Sequence, residues 1–318
     1  MGENMKVIKK LFLIWLFLTI ITGFSIYNCL AEFSNVSKTN FPVAAYSVLF
    51  DGENIWACGR YSVSVIRVKG SHVYPAIPFG AATPLTMAFD GKNVWIVDYS
   101  GTYVYVFRIS DRTLIAQYTI PLNCEGIVFD GTSMWIAHHD GGNALHRYNL
   151  SGQLISTVTV GNNPCGIYFD GKYIWSPNMA DGTLSKVDVY NNTVVGTYNI
   201  GETPYWACSD GKYVYVSRIL QSMVTKIRAS DGAIIGDFAC NNSPRQIIFD
   251  GNNLWIAGVI SKDVVAMDRK GKILGTYPSG DGPRGLCFDG KSIWVANSNG
   301  TTISKFSFGK GNSYSHTW

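Results

Sequence analysis

The chain has 318 residues, 47% apolar and only 15% charged, with a formal charge of +4. A balance that small excludes a strongly basic nucleic-acid binder. Few charges with 14% aromatics exclude a disordered chain, and the heptad composition of a coiled coil is missing. Abundant Gly beside aromatic residues suits short strands joined by tight turns.

The first segment stands apart. Lys6, Lys9 and Lys10 precede an uncharged stretch from Leu11 to Ala31. A basic start followed by an apolar run is an export signal, and this run is also long enough to span a bilayer, which takes about 20 residues. Cys29 and Ala31 occupy the small-residue positions ahead of a cleavage point before Glu32. Residues 1–31 are therefore expected to be a signal peptide or an N-terminal membrane anchor, the latter attaching the protein through residues 11–31. Residues 32–318 are expected to form one domain outside the cytoplasm, whether secreted, periplasmic or at the cell surface. That part carries 23 basic and 21 acidic residues, so charge alone draws no partner to it.

Beyond the leader one unit recurs seven times. Asp-Gly stands at Asp51, Asp90, Asp130, Asp170, Asp210, Asp250 and Asp289, at spacings of 39 or 40 residues. Five residues after each Asp comes an aromatic: Trp56, Trp95, Trp135, Trp175, Tyr215, Trp255 and Trp294. Phe precedes the Asp in every copy but the fifth, which has Ser209, and Pro lies six residues before it in five copies. Each unit reads as four strands, A to D. In the fourth copy these are Gly166–Phe169, Ile174–Pro177, Leu184–Val189 and Val194–Ile200, with the Asp-Gly turn between A and B. Runs such as Gly-Ile-Val-Phe are apolar on both faces, as in strands covered on both sides. A 40-residue unit of four strands is a β-propeller blade. The expected fold is all-β: a single seven-bladed β-propeller of four-stranded antiparallel blades, with each Trp packed between neighbouring blades. The last copy has a poor strand D, and Phe33–Val36 is expected to supply that outer strand and close the ring.

The unit P-x-G-φ-x-F-D-G-x-x-φ-W-φ-A-N resembles the YVTN family of propeller repeats, with Trp294-Val295-Ala296-Asn297 in the place of the Tyr-Val-Thr-Asn that names it. The layout is also similar to the streptogramin (virginiamycin B) lyase-like propellers and, less closely, to NHL repeats. The likeness covers roughly residues 42–308 and implies the propeller fold, which hosts many activities. The lyase family places His in a Pro-His-Gly of strand A and Glu at the end of strand B, with magnesium nearby. This chain has no Pro-His-Gly, so the lyase residues do not carry over.

Propeller ligands sit at the channel mouth, where strand A begins and strand B ends. Continuous hairpin pairing places the residue five before each Asp opposite the residue eight after it. The first ring is Tyr46, Leu85, Glu125, Cys165, Tyr205, Arg245 and Arg284; the second is Gly59, Asp98, His138, Asn178, Arg218, Gly258 and Asn297. These two columns vary widely and carry most of the polarity, while the other columns of the repeat are mostly monotonous. The ligand-binding candidates are Tyr46, Asp98, Glu125, His138, Asn178, Tyr205, Arg218, Arg245, Arg284 and Asn297. Asp98, Glu125, His138 and His139 gather on blades two and three, and Arg218, Arg245 and Arg284 on blades five to seven. Glu125 and His138, expected to face each other, and Asp98 form a carboxylate–imidazole–carboxylate set able to hold a divalent metal or exchange protons. The arginines suit a carboxylate or phosphate.

No C-x-x-C metal pair, H-E-x-x-H or G-x-S-x-G is present. Of the six cysteines after the leader, only Cys124 and Cys165, at the starts of adjacent inner strands, are placed for a disulfide. The reading is an exported, non-enzymatic binding module, with a protein, glycan or small anionic ligand at the mouth and no nucleic acid. The alternatives are a metal-assisted lyase or hydrolase centred on Glu125 and His138, and a structural cell-envelope or surface-layer component. No cofactor is assigned from the sequence, and a divalent metal at Asp98, Glu125 and His138 is the one left open.

Overall fold

The computed structural model describes residues 35–40, 44–80 and 83–307. The leader, its cleavage point and Phe33 lie outside these residues. What is described is all strand, turn and loop, arranged as seven antiparallel sheets.

Each blade is built around the Asp-Gly turn. In blade four the Asp170 carboxylate accepts the backbone N–H of Lys172 and Tyr173 through Oδ1, at 2.9 and 2.7 Å, and the Trp175 indole N–H through Oδ2 at 2.7 Å. The same three bonds form at Asp51, Asp90, Asp130, Asp250 and Asp289. In blade five the Tyr215 hydroxyl takes the place of the indole. The following glycine holds φ between 86° and 102° in all seven copies, a region closed to side chains with a Cβ. The motif thus sets the turn and the rotamer of the largest core side chain together. The backbone bonds were readable from the sequence; the bond to the indole was not.

The indoles go where the repeat placed them. Trp56 packs with Val94 and Ile96 of blade two, Trp95 with Ile127 and Ile136 of blade three, and Trp255 with Ile293 and Val295 of blade seven. Trp294 packs with Val48 and Ile55 of blade one, so the core itself runs round the ring. The six tryptophans of the repeat are all buried.

Backbone pairing closes the ring as well. Asn35–Asn40 lies antiparallel on Thr302–Ser307, from Asn35 opposite Ser307 to Asn40 opposite Thr302. The closing strand is therefore the expected one, set further along than Phe33–Val36. Asn40 must end level with the mouth, because strand A of blade one starts there at Ala45. It follows that the chain enters the ring at Asn35 on the Asp-Gly face, away from the mouth. All six described cysteines are free thiols, so Cys124 and Cys165 are not bridged; Cys124 is packed between blades two and three.

Candidate functional site

The mouth departs from continuous hairpin pairing by one residue. Near the Asp-Gly turn the pairing is as expected, with Phe129 opposite Met134. Further along strand A a β-bulge intervenes, and Cys124, not Glu125, pairs with His138. Pro84, Pro204, Pro244 and Pro283 likewise pair with Asp98, Arg218, Gly258 and Asn297. A bulge leaves one residue out of the ladder and re-aims its side chain. Here that residue is the one five before the Asp, and its side chain enters the channel. Proline at the edge of the bulge has no N–H to give the ladder and is the local mark of the break.

The channel therefore collects the first ring. Tyr46, Leu85, Glu125, Tyr205, Arg245 and Arg284 line a central cavity of about 10 Å³ together with Ser47, Thr86, Trp206, Gln246 and Gly285. A space of that size holds about one water or the tip of one polar group. Glu125, from blade three, is its hub. One carboxylate oxygen accepts the Tyr205 hydroxyl and lies 3.5 Å from Arg284 Nη2, which in turn donates to the Tyr205 oxygen at 3.1 Å. The other lies 3.5 Å from His139 Nε2. His139 Nδ1 is 3.3 Å from the Cys165 sulfur. The Arg245 guanidinium rests over the Tyr205 ring at 4.6 Å, and Arg284 over Tyr46 at 5.7 Å.

The second ring does not join them. Asn178 and Asn297 are fully buried inside their blades and donate to Ser185 and Ser304 of strand C at 2.9 and 3.0 Å. Asp98 is buried and accepts the backbone N–H of Thr83 at 2.9 Å. Arg218 reaches outward to Asp237 of strand D at 3.6 Å, leaving the expected arginine cluster with two members in the channel. His138 stands beside His146, ring centres 5.8 Å apart. The Asp98–Glu125–His138 set is thus not assembled, and Glu125 meets His139 in place of His138. The bulge explains both departures. His139 and Cys165 are the members of the cluster outside the candidate list: Cys165 already stands in the varying first column, whereas His139, level with Asn123 just beyond the paired strands, is not reached by the register shift.

Burial sets the electrostatics. The Tyr205 hydroxyl is pushed well up by burial and then by the Glu125 charge, so it stays protonated and donates. For Arg284 burial opposes the charge, but Tyr205 and Glu125 outweigh it and raise its affinity for the proton. Burial, then Glu125, raises the Cys165 thiol far above its ordinary value. A buried thiol held protonated is not a ready nucleophile. The channel carries two permanent cations against one carboxylate hub. Arg284 is matched to that carboxylate. Among the described residues the Arg245 guanidinium makes no ion pair, and its Nε is buried without a hydrogen-bond partner.

This is a closed seven-bladed propeller with an asymmetric, polar channel. Its architecture is similar to a streptogramin B lyase structure at a TM-score of 0.74 and 14% identity, covering 87% of this chain and 98% of that one. It is similar to hydrazine synthase of Kuenenia stuttgartiensis at 0.74 and 16%, covering 85% and 97%. At these identities the likeness is one of fold alone, a seven-bladed β-propeller. No family model and no curated protein matches the sequence.

Proposed function

We propose that this protein is an exported binding propeller that takes a small anionic group, a carboxylate or phosphate, at the channel mouth against Arg245 and Arg284. The observation that carries this reading is the Arg245 guanidinium: it lines the cavity beside a second arginine, with a buried Nε that nothing bonds. An unpaired buried donor costs free energy that a ligand oxygen would offset, and a guanidinium fits such oxygens two at a time. Glu125 and the neutral Tyr205 fix Arg284 in place, leaving Arg245 to supply the uncompensated charge. The small cavity favours one head group over a buried large ligand. Export rests on the basic, then apolar leader. Entry of the chain at Asn35, on the face opposite the mouth, would point the mouth away from a membrane holding residues 11–31.

The test is the thermal midpoint of the full chain, purified in detergent, with acetate, citrate, phosphate and acidic sugars in turn. At least one should raise the midpoint in proportion to the logarithm of its concentration. Arg245→Met should weaken that ligand at least tenfold, while leaving the unliganded protein as stable or slightly more so, as expected where a side chain is kept for binding. A parent indifferent to every anion, or a Met variant that still binds, overturns the reading.

A further inference from the structure

The trio on the other side of Glu125 has a different chemistry. We propose that Glu125, His139 and Cys165 form a site for a zinc-type divalent cation between blades three and four. This goes beyond the anion reading and does not depend on it. The three residues come from separate stretches of chain: the start of strand A of blade three, the end of strand B of blade three, and the start of strand A of blade four. All three are buried, and one ligand atom from each lies within 4.8 Å of the other two. Donors around one tetrahedral zinc, bound at about 2.0–2.3 Å, stand roughly 3.5 Å apart. The imidazole is already 3.3 Å from the sulfur and 3.5 Å from the carboxylate, through different nitrogens. Bringing both onto one nitrogen takes a movement on the order of 1 Å, small beside the reach of a cysteine and a glutamate rotamer.

The donor set selects the ion. One thiol, one imidazole and one carboxylate suit zinc, cobalt or cadmium, whereas magnesium and calcium prefer oxygen alone. The carboxylate is also oriented from behind: Tyr205 and Arg284 hold its far oxygen and leave the near one toward His139 and Cys165. Outer partners of this kind fix a ligand's direction in metal sites. With three protein ligands, a fourth position remains for water or another donor. His138 and Asp98 take no part.

Cobalt(II) titrated into the chelator-treated full chain tests this, because cobalt bound to a thiolate gives an intense charge-transfer band in the near ultraviolet. The expected result is that band at about one ion per chain, displaced by zinc. Cys165→Ser should abolish it and weaken binding about a hundredfold; Glu125→Gln should keep the band with affinity reduced about tenfold or more; His138→Gln should change nothing. Unfolding of the metal-free Ser variant, matched to that of the metal-free parent, separates a lost ligand from a lost fold. Absence of the band in the parent, or equal binding by Cys165→Ser, overturns the proposal. Neither result bears on anion binding, which Arg245→Met reads separately.

Discussion

The two ends of each blade obey opposite rules. At the Asp-Gly end all seven blades do the same thing: a carboxylate takes two backbone N–H groups and an indole or phenol five residues on. At the mouth end the backbone again repeats, with the same bulge, but the projecting side chain differs from blade to blade. The contrast follows from where each end makes its contacts. The turn is satisfied within five residues of its own blade, so seven copies can be identical. The inward side chains of the mouth meet at one axis, where seven like charges or seven indoles could not fit together. Fold is therefore written in the repeated end and any chemistry in the varied one.

The largest effects should come from breaking the repeated end. Trp255 is fully buried between blades six and seven and bonds Asp250 at 2.7 Å. Trp255→Ala should cost about 4 kcal/mol, the range for emptying a large aromatic from a core. Asp250→Ala leaves three donors without their acceptor and should cost about 3 kcal/mol. Chemical denaturation of the full chain measures both. Losses under about 1 kcal/mol would show that the motif decorates the turn and does not hold it.

Most of the fold was legible because a repeat states its constraints seven times. The spacing of the Asp-Gly pairs, the aromatic five residues on and the alternating strands fixed blade number and Trp placement. The closing strand was legible in kind, though its register required the geometry of the mouth. The site was half legible. Glu125, Tyr205, Arg245 and Arg284 were reached because the inward column varies. Asp98, Asn178, Arg218 and Asn297 were wrongly set beside them, since pairing was carried across the bulge without a shift. A bulge is one residue of irregular backbone and leaves no hydrophobic period behind it. The proline at its edge is the only trace, and blade three, which holds the hub, has Cys124 there instead.

Breaking the varied end should cost less, and unevenly. Glu125→Ala strands Arg284, which is three-quarters buried, and removes the acceptor of the Tyr205 hydroxyl. Loss of one partner from a buried pair points to about 3 kcal/mol, reduced here to about 2 because Arg284 retains some solvent. Glu125→Ala combined with Arg284→Met should recover at least half of that, and with the cost of Arg284→Met alone added the coupling in a double-mutant cycle should be about 1 kcal/mol or larger. Additive losses would mean that the pair does not act as a unit.

The smallest effect lies between the two ends, on strand C of blade three. His146 Nδ1 stands 3.1 Å from the Thr157 hydroxyl, while its Nε2 is buried without a partner. Burial, and then the neighbouring His138, lowers its affinity for a proton from the ordinary value of 6.5. The unfolded chain therefore binds this proton more readily than the folded one. Stability from the neutral imidazole is full above about pH 6.5 and is lost as the pH falls from there toward the lower folded value. Between about pH 7.5 and pH 5.5 the parent should lose about 2 °C of thermal midpoint more than His146→Gln does. Glutamine cannot titrate, so its curve supplies the contribution of every other group. Parallel curves would mean that His146 takes up its proton as easily in the folded blade as in the unfolded chain, and that the buried Nε2 finds a partner when charged. A steeper fall in the parent would place one pH-sensitive point on an otherwise uniform blade scaffold, on the same blade as the hub of the channel.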